Sequence, residues 1–125
     1  MHDYIKHVKV TESADFEKIY ERVESVNTLR LLHAGIGIAT ESGEFLDMLK
    51  KHIFYGKPID VINLVEEMGD ITFYLGIACD ALQVSFEDVM KKNIAKLKAR
   101  YPNKFTEEDA LNRDLKKERE VIEEI

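Results

Sequence analysis

Apolar residues recur along this chain at the three-to-four-residue spacing of helices, with almost no strand-like alternation. Phe16, Ile19, Tyr20 and Val23 predict a first helix, capped at Thr11 or Ser13 and running through Ser25. A second helix is expected from a cap at Asn27 or Thr28 to about Lys51. Its first half, with Leu31, Leu32, Ala34, Ile36, Ile38 and Ala39, is apolar around much of its circumference, so burial on several sides is expected. Gly56-Lys57-Pro58 reads as a loop. Asp60 then caps a third helix from Val61 to about Leu82. Ser85, with Asp88 three residues on, forms a capping box for a fourth, which Pro102 ends by Tyr101. Thr106 opens a last, highly charged helical segment, with eight acids and four bases from Glu107 to Ile125. Val8-Lys9-Val10 is too short for a useful strand. The expected fold is therefore all-α, an antiparallel bundle of four to five helices. Because the main helices are apolar on more than one face, homo-oligomerisation is expected to complete the core.

Composition narrows the setting. The 125 residues carry 18 basic and 24 acidic side chains, a net charge of −6, which argues against non-specific binding to a nucleic acid polymer or an anionic membrane. One cysteine, Cys79, excludes an internal disulfide and any cysteine-based zinc cluster. No apolar run reaches the roughly 20 residues of a spanning helix, and Met1 to Val10 has no signal-peptide core. A cytoplasmic protein is expected.

Chemistry enters with two acidic pairs. The second helix holds Glu41-Ser42-Gly43-Glu44 and the third holds Glu67-Met68-Gly69-Asp70. Residues at i and i+3 lie about 60° apart around a helix, so both carboxylates of a pair point the same way. The short connection lays the two helices antiparallel, with the pairs at comparable depth. One such pair is common on a solvated helix face. Two, each set among apolar residues, call for a neutralising partner. All-oxygen ligation favours Mg²⁺, with Mn²⁺ possible, over iron or zinc. A di-iron bundle would need Glu-x-x-His, and none of the four histidines forms HExxH. Gly35-Ile36-Gly37 lacks the third glycine and the preceding strand of a dinucleotide fingerprint.

A basic counterpart follows. Lys91 to Lys104 contains six bases and no acid, with Lys92, Lys96 and Arg100 at i, i+4 and i+8 and Asn93 beside them. Such a stripe suits a polyphosphate bound to Mg²⁺; it also simply complements a helix C-terminus.

Glu41-x-x-Glu44, a gap of 22 residues, and Glu67-x-x-Asp70, followed by Asn93-x-x-Lys96-x-x-x-Arg100-Tyr101-Pro102, resembles the MazG-like all-α nucleoside triphosphate pyrophosphohydrolases from about Leu29 to Phe105. The resemblance implies Mg²⁺-dependent hydrolysis of a nucleoside or deoxynucleoside triphosphate to the monophosphate and pyrophosphate, by a homodimer or homotetramer. It implies a domain over residues 1–105, with 106–125 as its charged helical tail. It matches Glu41, Glu44, Glu67 and Asp70 to the metal-binding and catalytic acids, and Lys96 and Arg100 to the phosphate-facing bases. Tyr74 falls where some relatives have a substrate-contacting tyrosine. Some relatives carry a water-activating Glu where this chain has Thr40, so Glu41, Glu44 or Glu66 is left for that role. His33, two turns before Glu41, can line the pocket. Phe54 and Tyr55 can stack on a base, or serve in the core or an interface. Two other readings stay open: a non-catalytic helical interaction or nucleotide-sensing module, and a relative acting on a phosphoribosyl-nucleotide or a diphosphate.

Overall fold

A computed structural model describes residues 2–124, so Met1 and Ile125, the outer ends of the Met1–Val10 and Glu107–Ile125 segments read above, lie outside the described residues. Seven helices and no strand occur among the described residues, against the four to five helices expected. They are α1 (His2–Thr11), α2 (Phe16–Val23), α3 (Val26–Tyr55), α4 (Val61–Leu82), α5 (Phe86–Arg100), α6 (Glu107–Leu111) and α7 (Leu115–Glu123). No described helix is long and apolar enough to cross a membrane.

The two additional helices have local causes. Residues 2–11, for which no helix was expected, form α1, and the Thr11 hydroxyl closes its last turn by donating to the His7 carbonyl at 3.0 Å. The charged C-terminal segment is split in two. Thr106 caps α6, accepting from the Asp109 N–H at 3.0 Å, and Asp114 restarts the helix as the cap of α7, accepting from the Lys117 N–H at 3.0 Å. Asp114 is a short side chain that bonds backbone donors, and such residues favour caps over helix interiors. The first expected helix also starts later, because Asp15, not Thr11 or Ser13, accepts from the Lys18 N–H.

The chain divides into two compact units, residues 1–74 and 75–125. In the first, α3 is a 30-residue helix that begins at Ser25, without a side-chain cap, and overruns the expected end at Lys51 by one turn. Gly56 ends it with a left-handed φ of 68°, a conformation that costs glycine little. The His52 ring N–H then donates to the Lys57 carbonyl at 2.8 Å and ties down the turn. Asp60 caps α4 as expected, accepting from the Asn63 N–H at 3.1 Å. The start of α4 returns antiparallel along α3: Asn63 shares a cleft with Lys51, Glu67 approaches Glu41, and Tyr74 reaches His33.

In the second unit the Ser85–Asp88 capping box opens α5. Helix α7 packs on α5. The contact is fixed by Glu118, only 4 % exposed, which accepts paired hydrogen bonds from Arg100 (2.9 and 2.7 Å) and from Arg113 (3.2 and 2.7 Å). Lys92 adds a 2.6 Å bond to the Ile122 carbonyl near the end of α7.

Candidate metal centre

Glu41 on α3 and Glu67 and Asp70 on α4 bring one carboxylate oxygen each to within 4.8 Å of one another. The cause is local. The i, i+3 spacing puts Glu67 and Asp70 on the α4 face that meets α3, and the antiparallel return sets Glu41 opposite them. Glu44, the fourth expected acid, lies outside this trio and is exposed at its rim. Glu67 is the deepest, 5 % exposed, and its Oε1 accepts from the Asn63 side-chain amide at 2.8 Å. That bond occupies one oxygen and fixes the carboxylate plane.

The electrostatics show acids packed against their own charge. Glu41 is held above the ordinary 4.5, first by burial, then by the negative charges of Glu44, Asp70 and Glu67, with the Thr40 hydroxyl acting the other way. A raised value means that the contribution of Glu41 to stability is complete below pH 4.5 and is lost as the pH rises through the raised value. Near neutrality the ionised Glu41 carboxylate therefore works against the fold, and a bound cation would reverse that sign. Beside it lies a cleft of about 410 Å³ lined by Glu44, Asp47, Lys51, Asn63 and Glu67. The cleft is less cationic than Lys51 suggests, since Lys50 and Lys51 both pair with Asp47 and hold its carboxyl at about 2.

The remaining candidates are distributed as follows. His33 and Tyr74 meet edge to face, ring centroids 5.6 Å apart at 76°. Phe54 and Tyr55 end α3 and are 74 % and 68 % exposed. Glu66 is exposed on α4. Asn93, Lys96 and Arg100 lie on α5 in the second unit, Asn93 exposed and Lys96 half-buried. Arg100 is engaged by Glu118, which raises its pKa, and Lys92 of the same stripe is engaged by the Ile122 carbonyl.

Two residues with clear structural roles, Asn63 and Glu118, were not singled out in the sequence. Asn63 sits one turn before Glu67, a spacing that a search for polar neighbours of the acids would have caught. Gly37, by contrast, is one of the helix-interior glycines whose cost points in the sequence to close helix approach or room for a ligand, and it lies one turn before Glu41 against Tyr74. Glu118 had no signal, being one acid among many in a charged segment.

A helical domain with paired acids on two antiparallel helices offers an all-oxygen donor set that could hold a hard divalent cation. The family model for the MazG nucleotide pyrophosphohydrolase domain matches residues 32–105, more than half of the chain, and the chain belongs to that family. The matched span contains both acidic pairs and the basic segment of α5. No curated protein and no solved structure matches it.

Proposed function

We propose that this protein hydrolyses nucleoside or deoxynucleoside triphosphates to the monophosphate and pyrophosphate, with Mg²⁺ as the metal and Mn²⁺ able to replace it. The observation that carries the reading is the convergence of Glu41, Glu67 and Asp70 in a chain of this family. An all-carboxylate donor set fits a hard divalent cation. Bound there, Mg²⁺ would supply Lewis-acid charge to the phosphate chain.

The protein's own groups divide the remaining work. Glu41, Glu67 and Asp70 would hold the cation, with the Asn63 hydrogen bond steadying the Glu67 carboxylate. A carboxylate that holds a cation loses basicity. We therefore assign the proton acceptor to Glu44, at the rim. The attacking water gives its proton to Glu44 as its oxygen bonds the α-phosphorus. The bond from that phosphorus to the bridging oxygen breaks, and pyrophosphate leaves with the electron pair. The resemblance implies phosphate-facing roles for Lys96 and Arg100. Since Glu118 holds the Arg100 guanidinium, we give the direct role to Lys96, with Asn93 one turn before it.

The same reading places a second copy of the chain over the first unit. Leu29, Leu32, Ile36, Leu46 and Ile53 form an exposed apolar row on α3, and Val61, Val65 and Met68 another on α4. Exposed large apolar side chains gathered on two neighbouring helices suit an interaction face.

The test is a panel of nucleoside and deoxynucleoside triphosphates with Mg²⁺. Monophosphate and pyrophosphate are expected in equal amounts, and none after EDTA. Absence of product with every nucleotide would overturn the proposal in favour of a nucleotide-sensing module. Glu44→Gln is expected to lower kcat by roughly 10²–10⁴-fold, the range of a lost general base, with Mg²⁺ affinity close to the parent's. A Glu44→Gln enzyme that keeps the parent kcat would move the base elsewhere.

A further inference from the structure

We infer that Gly37 and Tyr74 are positioning residues that set the spacing of α3 and α4 at the acid trio; the inference rests on the metal reading above. The face of the Tyr74 ring lies directly on Gly37. A methyl group there would overlap ring atoms Cγ, Cδ1 and Cε1, which belong to the rigid body of the side chain rather than a flexible end. The ring has little freedom to yield, because His33 meets it edge to face at 5.6 Å and Phe73 meets it likewise at 5.3 Å.

Gly37 differs in this from its neighbours. Gly35, Gly43 and Gly69 have open space where a Cβ would stand. All four are helix-interior glycines, where the residue is unfavourable, and only Gly37 among them is matched by a close approach of the facing helix.

Its register makes the contact consequential. Gly37 is one turn before Glu41 and Tyr74 is one turn after Asp70, so the spacer stands about 6 Å along the helices from the trio. Packed helices resist bending, so a displacement at Gly37 reaches Glu41 largely undiminished. One methyl would part the helices by on the order of 1 Å, whereas functional geometry of this kind tolerates about 0.5 Å. The spacer thus sets the separation at which carboxylates from two helices can share one small cation.

The experiment measures Mn²⁺ affinity of the full chain by the loss of the free-ion paramagnetic resonance signal. It compares the parent, G37A, Y74L and G37A/Y74L, with far-ultraviolet circular dichroism for helix content. G37A is expected to bind at least 10-fold more weakly with its helices retained. G37A/Y74L, where the smaller side chain gives the methyl room, is expected to match Y74L within about 2-fold. This rescue separates spacing from general damage. G37A binding like the parent overturns the inference while leaving the metal reading intact, as does G37A weakening binding in the Y74L background by as much as it does in the parent. If G37A does not fold, a folded and binding G37A/Y74L supports the spacer, and an unfolded one overturns it. A parent that binds no Mn²⁺ sinks the metal reading and this inference with it.

Discussion

Glu41→Gln and Asp70→Asn are each expected to abolish triphosphate hydrolysis while leaving the helical signal unchanged. Both side chains contribute an oxygen to the trio, and an amide offers a weaker, neutral ligand in its place. The loss in activity should exceed the roughly 100-fold that removal of an outer hydrogen-bond partner of a metal site costs. Stability should move the other way. The Glu41 carboxyl is held above its ordinary range by burial and by Glu44, Asp70 and Glu67, so removing its charge relieves repulsion in the metal-free fold. Without Mg²⁺, the Glu41→Gln protein should melt at or above the parent. With Mg²⁺, only the parent should gain. Thermal melts with and without the ion, run beside the activity assay, check both halves. Full activity in either variant would count heavily against this centre.

Glu118→Ala is expected to strip α7 from α5 and lower the melting midpoint by roughly 10 °C or more, the scale of breaking a buried ion pair in a small domain. Glu118 is nearly fully buried and serves two guanidinium groups at once. Its removal leaves Arg100 facing Arg113 without an anion between them, which is worse than losing a contact. The Arg100 and Arg113 hydrogen bonds hold the Glu118 carboxyl at about 2, against 4.5 for the free group. A depressed value means the stabilisation is present above pH 4.5 and is lost as the pH falls toward 2. The parent should therefore lose the α5–α7 contact over that window, and the Glu118→Ala protein should show no such step. Acid titration followed by hydrogen exchange of residues 115–123 reads it directly.

The helices were largely legible from the chain. Ser85 with Asp88, Asp60 before Val61 and Gly56 before Pro58 act through neighbours within a few residues, so their signals are local. The segment from Glu107 was harder. Its charges allow one helix or two, and the break came from Asp114 capping α7. Residues 2–11 carry Tyr4, Ile5 and Val8 at helical spacing, too short a pattern to announce α1 without a capping residue.

The centre divides along the same line. Acid pairs three residues apart state which way each pair points, and the sequence by itself determined the helical class, the family and the four acids worth watching. It did not determine which of the four meet. That depended on how α3 and α4 lie against each other, with Tyr74 seated on Gly37 and Glu44 outside the trio. Nor did it show that Arg100 would be taken up by Glu118, 18 residues away. Periodicity and capping are properties of adjacent residues, whereas distances between side chains on different helices are set by packing.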